Sequence, residues 1–167
     1  MTHKTAKSVG TSVVLAVATF VLASTAGARS LRFTAYLSGK NIVPQKVDTK
    51  ATGKVVFSLS SDGKGLSYRL MVRNIDNVTM AHIHMESADR NGPPVAWLYP
   101  RKGMAPMEKA GRFNGTLAKG TITANELIGP LSGKPLGALI DGIRSGKMYV
   151  VVHTTQHPDG EIRGLIK

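Results

Sequence analysis

Beyond residue 28 the chain has four histidines, all in two short motifs: His82-Ile83-His84, and His153 followed four residues later by His157. Side chains two apart on a strand point to the same side, so His82 and His84 present their imidazoles together, about 6–7 Å apart along the strand. That spacing suits two ligands of one ion. A third imidazole from another strand, His153, would complete a trigonal or square site of the kind that takes copper or zinc. His157 is a fourth candidate ligand. Met80 shares the face of the pair, and Met104 and Met107 form an M-x-x-M loop, so a thioether ligand for cuprous ion is conceivable. A structural reading accounts for the same residues. Each imidazole can donate to a backbone carbonyl, His157 can cap a turn before Pro158, and the methionines can fill core gaps.

Glu161 and Arg163 are the other polar residues crowded near His153. Two apart on a strand, they face the same way and are expected to form an ion pair with each other or across strands. A catalytic carboxylate pair needs a second acid, and Asp159 sits in a turn. The chain has no G-x-S-x-G elbow, P-loop or H-E-x-x-H motif, so hydrolase, nucleotide-binding and metalloprotease readings lack support.

The elements that position these residues read mainly as strands. Tyr149–His153 is a run of strand formers that suits a strand covered on both faces. Pro158-Asp159-Gly160 supplies a tight turn, and Glu161–Gly164 returns. Upstream, Leu31–Leu37, Gly53–Leu59 and Leu66–Val72 alternate apolar and polar residues, with Ser61–Gly65 as a hairpin loop. Thr79–Glu86 alternates as a separate strand, Val95–Tyr99 is a short strand with the single tryptophan, Trp97, and Arg112–Thr121 reads as one or two strands interrupted by glycine. Two helical pieces intervene. Thr123–Glu126 has the capping-box form. Pro135–Ser145 places Leu136, Leu139, Ile140 and Ile143 at helical spacing, with Gly146 as the stop. The expected class is therefore an all-β antiparallel sandwich with one or two short helices.

Residues 1–28 read as a signal peptide: Lys4 and Lys7, an apolar run Val13–Ala23, and Ala26-Gly27-Ala28 as the cleavage site. The apolar run is well short of the roughly 20 residues of a membrane-spanning helix. The mature chain, residues 29–167, is expected to be one soluble, exported domain without a transmembrane segment. Its formal charge is +10, because the segment removed carries two of the lysines behind the total of +12 and no acid. Such a protein favours anionic surfaces. Lys and Arg occur without a run of five, so a nucleic-acid-binding arm is not indicated. Cysteine is absent, which excludes disulfides, a thiol nucleophile and thiolate metal sites. Asn77-Val78-Thr79 and Asn114-Gly115-Thr116 are glycosylation sequons.

The motifs Met80–His84, Asn91-Gly92-Pro93, Tyr149–Thr154 and Pro158–Gly164, with Leu37–Gly39, Ala51–Gly53 and Gly120–Ile122, resemble the CHRD domain over about residues 32–167. That domain is named for repeats in chordin, an extracellular antagonist of growth factors. The resemblance implies an immunoglobulin-like β-sandwich and brings no settled biochemical function; the leading expectation is an exported, non-enzymatic binding module that engages an extracellular protein or an anionic surface. More distantly, His82-Ile83-His84, Val151-Val152-His153 and Arg163 are similar to copper–zinc superoxide dismutase. That likeness implies His82, His84 and His153 as copper ligands and Arg163 as an anion guide, hence a copper-binding domain as the alternative function. The bridging histidine, the other zinc ligands and the disulfide of that family have no counterpart here.

Overall fold

The structure is a computed structural model that describes residues 1–2, 30–86, 91–104 and 107–167. Apart from its first two residues, the signal peptide read from the sequence lies outside the described residues.

Strand β1 (Arg32–Ser38) pairs antiparallel with β2 (Thr52–Leu59), and β2 pairs with the first half of β3 (Leu66–Met85). Period-two alternation decides what these strands bury. Phe33, Ala35 and Leu37, then Val55 and Phe57, then Leu66, Tyr68, Leu70 and Val72 all face the core, while their neighbours face outward. The second half of β3 pairs with β6 (Met148–Thr154), β6 with β7 (Ile162–Leu165), and β7 with β1. The path β1–β2–β3–β6–β7 therefore returns to β1 and closes five strands into a barrel. Two more strands flank β3: β4 (Pro94–Tyr99) beside its second half, and β5 (Lys109–Ile122) mainly beside its first. The all-β class expected from the sequence is found, built as one hydrogen-bonded network.

One strand replaces two of those expected. Leu66–Val72 and Thr79–Glu86 are halves of the single strand β3, joined through Asn74 and Asn77, which adopt φ of 52° and 50°. Asparagine tolerates this left-handed geometry better than most residues, and the register with β5 shifts across Val72–Val78. Both side chains of this neighbourhood are used. Asn114 Oδ1 accepts from the Asn74 N–H, and Asn77 Oδ1 accepts from the Gly111 N–H, so both sequon asparagines bond through their carbonyl oxygens. The glycine-interrupted segment beyond residue 108 is likewise one strand, β5.

The capping box is present, with the Thr123 N–H donating to Glu126 Oε2 at 2.8 Å, but it opens only a single 3-10 turn, Ala124–Glu126. Helix α1 (Leu136–Arg144) matches the expected amphipathic helix and puts Leu136, Leu139, Ile140 and Ile143 into the barrel core. Gly146 follows with φ of 71°. Among the described residues no helix is long and apolar enough to cross a membrane.

The barrel closes where β7 and the chain end meet β1. Thr34 and Lys167 exchange backbone hydrogen bonds of 2.7 and 2.9 Å, and Gly164 packs its Cα against the Tyr36 backbone. A Cβ on residue 164 would fall on the Tyr36 carbonyl oxygen. Backbone cannot give way as a flexible side chain does. Gly164→Ala is expected to push β1 from β7 and lower stability by about 1–3 kcal/mol, read as a shift in the urea unfolding midpoint. An unchanged midpoint would show that the closure tolerates the strain.

Candidate metal centre

The faces of β3 and β6 that point away from the barrel core carry the histidines. Ala81 and Ile83 enter the core from β3, and Met148, Val150 and Val152 enter it from β6. The alternate residues face the other way, where register sets His82 opposite Val151, His84 opposite Tyr149, and Met80 opposite His153. This outer layer is not left to solvent. Ile42 and Val47, from the connection between β1 and β2, pack with Tyr149 and Val151 in a second small cluster. Gly160 closes tightly on Val151 and Ile42, with φ of 123° and no room for a Cβ. Every residue of β6 is consequently buried, as its unbroken run of strand formers suggested.

His82, His84 and His153 are buried to 5%, 5% and 6% exposure. One ring nitrogen from each lies within 4.8 Å of those from the other two. His82 Nδ1 is 3.4 Å from His153 Nε2. Two nitrogens bound at about 2.0–2.1 Å to one trigonal or tetrahedral ion stand about 3.3–3.6 Å apart. This pair already has that separation, and His84 needs only a small approach.

Hydrogen bonds outside the cluster orient the rings. His84 Nδ1–H donates to the Gly92 carbonyl at 2.7 Å, and the Gly92 N–H donates to the Tyr149 hydroxyl at 2.6 Å. His153 Nδ1–H donates to the Pro158 carbonyl at 2.9 Å. Carbonyls only accept, so the protons of His84 and His153 are on Nδ1; His153 Nε2 is then the acceptor facing His82 Nδ1, and His84 Nε2 is left bare. The Nε2 atoms of His82 and His84 are buried without a partner among the described residues. Such orphaned nitrogens are costly in a protein interior unless something else meets them. Backbone carbonyls that fix the tautomer of an imidazole are the usual outer shell of metal-binding histidines.

Electrostatics keep the rings neutral. Burial, followed by the neighbouring His153 and His84, pushes His82 down from its ordinary 6.5 to about 3. Burial also lowers His84, to about 4, against the opposing effect of the Gly92 carbonyl. His153 is lowered by burial too. Three neutral imidazoles, with one ring nitrogen of each within 4.8 Å of the others, form a nitrogen donor set with no imidazolium to discharge before a metal binds.

The remaining sequence candidates are placed elsewhere. His157 is not part of the cluster; its carbonyl accepts from the Gly160 N–H and its N–H donates to Thr154 Oγ1, so its backbone shapes the turn. Glu161 and Arg163 do not form the expected ion pair. Glu161 precedes β7, is buried, and accepts from Thr49 Oγ1 at 2.7 Å and Thr154 Oγ1 at 2.8 Å. The Arg163 guanidinium instead lies 3.8 Å over the Tyr149 ring and donates to the Asn41 carbonyl. It lines a surface cavity of about 530 Å³ with Lys167, Asn41 and Glu86. Met104 and Met107 are exposed at 53% and 51%.

Three contributors escape sequence reasoning. Trp97, the β4 register partner of His82, sets its ring edge-on at 4.1 Å. Tyr149 stacks on His84 at 5.6 Å. Gly92 accepts from one and donates to the other, and a Cβ there would strike the Met85 carbonyl oxygen. The only available signals were the singularity of the tryptophan and the Asn91-Gly92-Pro93 break.

Residues 33–166 match the CHRD domain, and the chain belongs to the CHRD-domain family. No curated protein and no solved structure matches it significantly.

The depressed histidines have a consequence for acid stability. The unfolded chain protonates its histidines near pH 6.5, while the folded chain leaves His82 and His84 neutral until about pH 3–4. Between those limits the unfolded state binds more protons, so stability falls as pH falls. Metal-free protein is expected to hold full stability above about pH 6.5 and lose it progressively towards pH 4. The slope is at most about 1.4 kcal/mol per pH unit for each histidine. Urea unfolding across pH 4–7.5 measures it, and His82→Gln should flatten the curve.

Proposed function

We propose that this CHRD domain is a metal-binding module that holds a copper ion through His82, His84 and His153. The observation that carries the reading is the convergence of three buried, neutral imidazoles, with two Nε2 atoms lacking any partner among the described residues. Burying charge in a low-dielectric site costs more than in proportion to the charge, by the square in a simple Born picture. The identified donor cluster holds no carboxylate to offset it. Both points favour the monovalent cuprous ion over zinc, and three imidazoles suit cuprous copper. The cuprous form would bind at the site and be shielded from water by the burial of its three ligands.

Arg163 and Lys167, at the mouth of the cavity beside Tyr149, would draw small anions to that side of the site. We read residues 1–28 as a signal peptide and residues 29–167 as one exported domain, its barrel with β4 and β5 a variant of the immunoglobulin-like sandwich that the family resemblance implies.

Trp97 makes the test direct, because the sole tryptophan touches His82. Titration with Cu(I) under competing chelator is expected to quench its emission with sub-micromolar affinity, and Cu(II) and Zn(II), titrated in parallel, are expected to bind more weakly. His82→Ala/His84→Ala/His153→Ala should abolish the effect, whereas equally weak binding by both proteins would sink the reading. Tyr149→Phe keeps all three ligands but removes the acceptor that holds Gly92, and is expected to weaken affinity about tenfold.

A further inference from the structure

A second surface, remote in chemistry from the histidines, lies on the outward face of β1, β2, the first half of β3, and β5. Register aligns its residues in rows across the four strands. Tyr36, Lys54, Met71 and Thr116 form one row, and Thr34, Val56, Arg69 and Lys119 the next. Arg32 and Arg73 stand on the flanking rows. The face thus carries five cations: Arg32, Lys54, Arg69, Arg73 and Lys119. The segments that build it, 32–38, 52–59, 66–73 and 114–122, contain no Asp or Glu.

Arg69 and Lys119 are direct register partners on adjacent strands. Like charges in that position repel and cost stability, and no acid on the face relieves them. The surface is also concave. A groove of about 740 Å³ is lined by Tyr36, Lys54, Met71, Arg73, Asn114 and Thr116, and the exposed Arg69 and Lys119 stand on the row that borders it. Tyr36 is 68% exposed although it is a large aromatic, with the Lys54 ammonium 5.2 Å from its ring centre. No described element covers it, in contrast to the covered outer face of β6.

We propose that this groove binds a linear acidic polysaccharide of the polyuronate class. The carboxylates would meet the cation rows, which stand about 4.8 Å apart across strands and about 6.6–7 Å apart along them. Tyr36 offers an apolar platform for a pyranose face, and Thr116 and Asn114 offer hydroxyl and amide partners for sugar hydroxyls. A planar anionic bilayer fits less well, because Lys54 is half-buried in the groove and is reached by a chain lying in it more readily than by a flat surface. The proposal stands on the barrel face alone and does not depend on the metal reading.

The test is fluorescence anisotropy with dye-labelled hexagalacturonate. Arg69→Gln/Arg73→Gln/Lys119→Gln is compared with Lys134→Gln/Arg144→Gln/Lys147→Gln, which removes the same charge from the helix side. Wild type is expected to bind, the groove variant to bind about tenfold or more weakly, and the helix-side variant to stay within about twofold. Added salt should weaken binding. Tyr36→Ala should weaken it severalfold at a salt concentration where charge steering is screened. Absence of wild-type binding overturns the proposal, as do equal losses in the two triple variants, which would report net charge only. Binding to phosphatidylglycerol vesicles, abolished in the groove variant and without hexagalacturonate binding, overturns it in favour of a membrane surface. Thermal melts confirm that each surface variant is folded.

Discussion

Because β6 is buried along its whole length, its two faces need two separate covers, and the rest of the chain is arranged to supply them. The barrel interior takes Met148, Val150 and Val152, sealed by the apolar stripe of α1. The other face takes Tyr149, Val151 and His153, and its cover is assembled from irregular chain: the 39–51 connection, the Gly92 loop and the Pro158–Gly160 turn. Irregular backbone brought over a buried layer exposes carbonyls and N–H groups to it, and each must be met. The histidines and Tyr149 meet them. His84 and His153 each satisfy a carbonyl, and Tyr149 satisfies an N–H.

That arrangement leaves the opposite edge of each imidazole pointing inward. A histidine used only to satisfy a loop carbonyl has a second nitrogen whose lone pair must go somewhere, usually to water or a donor. Here the second nitrogens are turned toward one another in a buried space, where protonation is suppressed. The loop-holding and ion-holding roles of these residues are therefore not alternatives. The hydrogen bond that organises the loop is what selects the ligating tautomer.

Most strands were legible because one face of each is buried and the other is wet, which prints a period of two on the sequence; Phe33, Ala35 and Leu37 are an instance. The H-x-H spacing likewise stated that His82 and His84 share a face. What periodicity does not carry is how one strand continues into another. Asn74 and Asn77 fall between the two alternating runs, and only their left-handed backbone inside a continuous ladder joins the two halves of β3. Glu161 and Arg163 depart from the expected pairing for a related reason. Spacing of two implies a common face only inside a strand, and β7 begins at Ile162, so Glu161 turns to Thr49 and Thr154 instead. The meeting of His153 with the pair depends on antiparallel register between residues 69 and 71 positions apart in sequence, and no local pattern records that.

The same reasoning applies to charge. A run of like charges in sequence is a sensible sign of a polyanion-binding arm in a helix or a disordered tail. In a strand, successive residues leave by opposite faces, so a run would bury every second charge. A β-sheet gathers charge by spacing cations an even number apart and by setting strands in register. Arg69 and Arg73 are four apart on one strand, and Lys119 comes beside Arg69 only through the β3–β5 ladder. The scattered lysines and arginines of the sequence thus converge on a face that holds no acid. In an all-β protein, scatter in sequence is the form that a concentrated surface charge has to take.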